Sequence, residues 1–219
     1  MLSTFSDPLL VSAGVVALAE VGDKTQLLAF VLAARFKRPL PIVAGIMLAT
    51  LLNHGLAAYF GTWLTSLLNP DWLAYLIGIS FIAIAGWIMI PDNLEEDDRA
   101  IAHTASVFGT SFLSFFMAEM GDKTQIATLA MAAHYGLPLT VMIGTTLGML
   151  IANVPAVYMG ERLAGKIPMR LVHSLAACIF AAIGLGIFIG HGEDLQKILR
   201  PSGQAPAALQ TPAALQAPP

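Results

Sequence analysis

The chain has 219 residues, 57% of them apolar and only 11% charged, with a mean hydropathy of +0.74. Several apolar runs exceed the roughly 18 residues that mark a membrane-spanning helix, which excludes an ordinary soluble domain and predicts an all-α polytopic membrane protein. The net charge of −3 comes with no basic tract that would suit nucleic acid, and the single Cys178 excludes an internal disulfide or a cysteine-rich metal site.

Six spans are expected. The first runs from about Pro8 to Ala34 and is stopped by Arg35-Phe36-Lys37-Arg38-Pro39. No lysine or arginine precedes it and no small-residue cleavage signal follows, so it reads as an uncleaved first helix. The second covers about Leu40 to Ser66 with Asn53 and His54 near its middle, and the third Trp72 to Ile90. An acidic loop follows, then the fourth span from Thr104 to about His134. The fifth runs from about Leu137 to Gly160 with Asn153 and Pro155 inside it, and the sixth from about Leu171 to Gly190. The divisions are thus 1–90 and 104–191 for two three-helix units, 91–103 for the acidic loop, and 192–219 for an Ala/Pro/Gln tail expected to be disordered.

Ionisable residues sit where they are least expected. Glu20-Val21-Gly22-Asp23-Lys24-Thr25-Gln26 lies in the first span, and Glu119-Met120-Gly121-Asp122-Lys123-Thr124-Gln125 in the fourth. An acid or lysine at a helix centre in lipid costs about 2.5–3.5 kcal/mol, so six of them facing lipid would outweigh the stability of a typical domain. They must face one another, water or an ion. On an uninterrupted helix, Asp23 lies about 300° and Lys24 about 40° around from Glu20, so the three share a face. Gly22 falls opposite, where it permits close packing or a local break. Ser12 and Gln26 flank the same side as the acids.

Duplication extends beyond the motif. At a constant offset of 99 positions Ser12 matches Ser111, Pro39 matches Pro138, Gly45 matches Gly144, His54 falls on Asn153, and Phe81 matches Phe180. Arg35, Lys37, Arg38, Arg99, Arg162, Lys166 and Arg170 all fall in the first, third and fifth connections, while the second and fourth have no lysine or arginine. Only Lys197 and Arg200, beyond the last span, oppose the pattern, and the positive-inside rule then puts both termini outside and the acidic loop in the cytoplasm. Three spans per unit make the second unit enter upside down, giving two inverted three-helix repeats, an architecture of secondary transporters. Trp63 and Trp72 flank the outer turn as interfacial anchors.

The donor chemistry is hard. Glu20, Asp23, Glu119 and Asp122 are candidate metal ligands, and carboxylates with hydroxyl and amide oxygens suit Mg2+, Ca2+ or Mn2+. Neither motif holds histidine or cysteine, which disfavours Zn2+ and Cu+. Metal and protons compete for clustered carboxylates, the physical basis of antiport. Lys24, Thr25, Gln26, Lys123, Thr124, Gln125, Asn153 and His54 are auxiliary transport-site candidates. Plainer roles exist for several of them. Glu20–Lys24 and Glu119–Lys123 at i,i+4 have the spacing of structural ion pairs, and Gln26 and Gln125 suit interhelical hydrogen bonds as well as ligation. Asn153 and His54 fit helix contacts better than ligation.

Two copies of E-x-G-D-K-T, each on the first helix of a three-helix half and joined by an acidic loop, resemble the manganese/calcium cation–proton antiporter family of bacterial inner membranes, plastids and the Golgi. The resemblance covers about Pro8 to Gly190. It implies a secondary transporter, not an enzyme, that exports Mn2+, or exchanges Ca2+ or Mn2+, from the cytosol against protons. The metal is then substrate, and no resident cofactor is implied. The family's acidic motif residues carry over onto Glu20, Asp23, Glu119 and Asp122, and the location implied is the inner membrane. A phenylalanine–glycine pattern of the third and sixth helices is only partly kept: Phe81 and Phe180 remain, but the following glycine is Ala85 in the first half and Gly184 in the second. A six-helix exporter of another metal or of an amino acid is the alternative; an amino-acid site would need a group to hold the substrate carboxylate, which these acidic motifs scarcely supply. The oligomeric state is left open.

Overall fold

A computed structural model of the protein describes residues 7–68, 70–90, 106–159 and 169–190. The regular elements among them are all helices: α1 (Pro8–Glu20), α2 (Lys24–Phe36), α3 (Pro39–Thr65), α4 (Pro70–Ile88), α5 (Val107–Glu119), α6 (Lys123–Tyr135), α7 (Pro138–Met159) and α8 (Met169–Gly190). The acidic loop 91–103, the basic connection at 161–168 and the tail 192–219 lie outside the described residues.

The first and fourth expected spans are each two helices rather than one. Each break falls inside the motif, at Val21-Gly22-Asp23 and at Met120-Gly121-Asp122. The backbone follows one path in both: Val21 and Met120 are extended at ψ 115, Gly22 and Gly121 have φ of 86° and 80°, and Asp23 and Asp122 are extended again at ψ 167 and 166. A positive φ is where a side chain would clash with its own backbone, so glycine is the residue that turns the chain here. The continuous-helix geometry, with Glu20, Asp23 and Lys24 on one face, is therefore overturned. At 1.5 Å per residue a 13-residue half-helix spans only about 20 Å. By contrast α3, with 27 residues, and α7, with 22, are each long and apolar enough to cross a membrane alone.

Packing is reciprocal between the halves. Helix α1 lies along α7, and α5 lies along α3. Glycines set both approaches. A methyl group at Gly45 would sit 2.8 Å from Ser111 Cβ and 2.9 Å from the Phe108 carbonyl; one at Gly144 would sit 3.0 Å from Ser12 Cβ and 2.6 Å from the Leu9 carbonyl. Ser12, expected to face the acids, is instead buried against Gly144. Helices α4 and α8 form the second close pair. Phe81 and Phe180 meet at its centre with ring centroids 5.6 Å apart, and Phe188 rests on Tyr75 and Gly78. Trp63 and Trp72 are both exposed near the ends of α3 and α4, as interfacial anchors require.

Candidate functional site

The two breaks bring the motifs together at the centre. Glu20 is the last residue of α1 and Glu119 the last of α5; Asp23 and Asp122 occupy the N-cap positions of α2 and α6. All four carboxylates are buried. An oxygen from each of Glu20, Asp23 and Asp122 lies within 4.8 Å of the others, a spacing one cation can bridge. Glu119 stands outside that tightest group but joins it through Thr124, whose Oγ1 shares its one hydrogen between Glu119 Oε2 at 3.2 Å and Asp122 Oδ2 at 3.5 Å. In the first motif Thr25 Oγ1 donates to Glu20 Oε2 at 2.7 Å, fastening one half-helix to the next. Glu20 and Glu119 are also within electrostatic reach of each other, and each feels charges from the opposite motif.

The lysines do not pair along their own helices. Lys123, buried, forms its ion pair with Asp23 of the other half, not with Glu119 at i,i+4. The break explains this: Glu119 ends one helix and Lys123 begins the next, so no helical turn connects them. Lys24 is half-buried and within electrostatic reach of Glu119, again across the halves.

The glutamines brace the breaks. Gln26 Oε1 accepts from Gly22 N at 3.0 Å, and Gln125 Oε1 accepts from Gly121 N at 2.7 Å. Gln26 Nε2 then donates to the Ala152 carbonyl of α7 at 3.0 Å, so the interhelical role holds for it. Among the described residues Gln125 has no equivalent bond, and it lines a cavity of about 400 Å³ with Leu56, Ala57, Phe60, Ile126 and Leu129.

Asn153 and His54 are buried near the middles of α7 and α3 but hydrogen-bond to no motif residue. Asn153 Nδ2 donates to the Met149 carbonyl of its own helix at 3.1 Å, while neither ring nitrogen of His54 has a partner. Sequence reasoning missed the backbone acceptors: the Ala152 carbonyl, and the Phe116 carbonyl held by Asn53 Nδ2 at 3.1 Å. It also gave no role to His173, whose Nε2 lies 3.2 Å from the Val21 carbonyl at the first break. Carbonyls leave no trace in composition. A neighbouring signal was Pro155, which lacks the N–H that would bond the Ile151 carbonyl and so interrupts the ladder of α7 beside Ala152.

Chemically the centre is a cluster of carboxylate oxygens offset by two positively charged lysines. Glu20 Oε1 and Glu119 Oε1 are buried with no hydrogen-bond partner, which is costly unless a cation or proton takes the place of one. The donor set fits a hard divalent ion. Helix termini converging on such a centre also follow the pattern of discontinuous helices in transporters.

Comparison with known proteins agrees with this chemistry. A family model described as "Divalent cation/proton antiporter GDT1" matches the chain twice, over residues 8–96 and 107–195. The two matches start 99 positions apart, the offset of the internal repeat. A Vibrio cholerae protein named "Putative manganese exporter" is 49% identical over 178 residues, covering 81% of this chain and 88% of its own length. A GDT1-like protein of Synechocystis is 31% identical, covering 82% of this chain and 94% of its own length. One from Arabidopsis thaliana is 25% identical, covering 77% and 89%. No solved structure matches the chain significantly. With both halves matched and the duplicated acidic motif at the centre of the fold, the chain belongs to the divalent cation/proton antiporter GDT1 family.

Proposed function

We propose that the protein exports Mn2+ from the cytosol in exchange for protons, with Ca2+ as a second substrate. Glu20, Asp23, Glu119 and Asp122 bind the ion and the protons by turns. Thr25 and Thr124 orient the carboxylates, Gln26 and Gln125 hold the breaks, and Lys24 and Lys123 offset part of the negative charge. The observation that carries this reading is the meeting of buried acids from both motifs, three of them with oxygens within 4.8 Å of one another. The name of the Vibrio cholerae relative supports Mn2+ as the exported ion.

In the membrane the chain forms six spans, α1–α2, α3, α4, α5–α6, α7 and α8, as two inverted three-helix repeats in the inner membrane. The divisions are 1–90 and 104–191, with 91–103 as a cytoplasmic loop and 192–219 as a tail. Both termini lie outside the cytoplasm. The arginine and lysine distribution supports this orientation, and the reciprocal contacts of Gly45 and Gly144 support a two-fold relation between the halves.

Transport by purified protein in liposomes, with Mn2+, Ca2+ and Mg2+ compared under an imposed pH gradient, tests the function. Proton-driven Mn2+ movement is expected. Movement of none of the three would sink the proposal.

A further inference from the structure

The two halves carry the same motif and the same backbone breaks, yet α4 and α8 do not treat them alike. Helix α8 lies against α1 and α4 lies against α6, while their packing on α2 and α5 is marginal at most. Side-chain exposure at positions 99 apart records the same asymmetry. Leu18 and Val21, on the covered α1 side, are half-buried; Met117 and Met120, their counterparts beside α5, are 54% and 55% exposed. In the opposite sense, Ala130 and Ala133 of α6 are buried, whereas Val31 and Ala34 of α2 are exposed. The bond from His173 to the Val21 carbonyl closes the first break, and the matching position at the second is Ala74, which has no such side chain.

A sequence that repeats in both halves allows the opposite packing too. We infer that α4 and α8 move as one unit between two mirror positions, alternately screening the two sides of the carboxylate centre. In the position seen here the unit covers α1 and α6. In the other it covers α2 and α5: Ile179 of α8 then meets Val31 of α2 as Ser80 of α4 now faces Ala130 of α6 across a shared gap, and Ile84 of α4 then meets Leu113 of α5 as Ile183 now faces Gly14 of α1.

Two features suit the unit to the movement. Its own contacts are tight: Phe81 packs on Phe180 with the rings tilted, and a methyl group at Gly184 would lie 2.9 Å from the Gly78 carbonyl, so the pair holds together. Its contacts with the half-helices are loose, with gaps of about 180 Å³ against α6 and about 200 Å³ against α1, lined almost wholly by apolar side chains, and the bond from His173 to the Val21 carbonyl is the directional contact that the movement would break. On the topology proposed above, α1 and α6 are the outer half-helices, so in the position seen here the unit packs on the outer side and not on the cytoplasmic half-helices α2 and α5, while the four carboxylates stay buried.

The inference rests on the antiport reading, and paired cysteines separate the two. In a Cys178→Ala background, Ser80→Cys with Ala130→Cys reports the position seen here. Ile179→Cys with Val31→Cys, and independently Ile84→Cys with Leu113→Cys, report the mirror position. A short bifunctional thiol reagent is applied to membranes, and bridging is read by mass spectrometry after proteolysis, with no transport required. Both sets are expected to bridge. Each bridge should reduce Mn2+ export at least tenfold, and cleaving the linker should restore it. Bridging of the first pair alone, in variants that export Mn2+ before treatment, would overturn the moving unit and leave antiport standing. Bridging of both sets in a protein that moves no divalent cation would keep the movement and remove the antiport reading.

Discussion

Lys123 of the second motif is ion-paired with Asp23 of the first, a buried bond between residues 100 positions apart. It ties the start of α6 to the start of α2, so the two broken spans are locked together at the very place where the carboxylates gather. The pair makes the centre a joint product of both halves.

Breaking that pair should be costly. Removing one partner of a buried ion pair strands the other and destabilises by about 3–5 kcal/mol. Lys123→Met is therefore expected to lower the thermal stability of the detergent-solubilised protein far more than Lys24→Met, because Lys24 is only half-buried. The double variant Lys123→Met/Asp23→Asn should recover part of the loss. Equal effects of the two single lysine changes would show that the cross-half pair is not the dominant one.

Either motif acid should be indispensable. Glu20→Gln and Glu119→Gln each remove one carboxylate charge from a shared centre, and each is expected to abolish Mn2+ export in liposomes while the protein stays folded. Full export by either single variant would mean that one motif suffices.

The duplicated motif, the apolar runs and the hard-oxygen donor set were legible in the sequence because each depends on residue identity and spacing alone. Other features were not. Periodicity assumes an unbroken helix, and Gly22 on the far face was compatible with either packing or a break, so the turn at φ 86° could not be chosen beforehand. That choice decides the pairing. On a continuous helix Lys123 meets Glu119, whereas the break sends it to Asp23. The unequal packing of α4 and α8 was equally hidden, since the motif and the spacing that the halves share do not say which half is covered.

Glycines at the reciprocal contacts should be sensitive in matched fashion. Gly45→Ala and Gly144→Ala would each press a methyl group to within 2.8 Å and 2.6 Å of the facing helix. Overpacking of this kind costs about 1–3 kcal/mol, and the two costs should be similar. Gly14→Ala is the control, because nothing lies within 4 Å of the place its methyl group would take, and alanine favours the helix by roughly 0.5–1 kcal/mol. Melting temperatures in detergent would measure all three; a large loss at Gly14 with none at Gly45 would contradict the packing.

Topology is open to labelling. With Cys178 replaced by alanine, a cysteine at Leu67, just past α3, should react only from outside, and one at Glu96 only from the cytoplasm. Reaction of both from one side would remove the inverted arrangement.

Charge sets the coupling. Glu20, Asp23, Glu119 and Asp122 contribute −4 when ionised and Lys24 and Lys123 contribute +2, leaving the centre at −2. One divalent cation neutralises that charge, and so do two protons. A neutral centre is far easier to carry through a low-dielectric barrier than a doubly charged one, so the empty, ionised centre should be trapped and leak suppressed. The expected exchange is one divalent ion for two protons, with little net charge moved. Acidifying the cytoplasmic face should inhibit export, because protons then hold the carboxylates that the metal needs. The lysines must stay charged for the count to hold, and the ion pair of Lys123 with Asp23 favours that against the cost of burial. Reversal measured in liposomes at graded membrane potentials decides the matter: an equilibrium that shifts strongly with voltage at a fixed pH gradient would rule out two protons per metal.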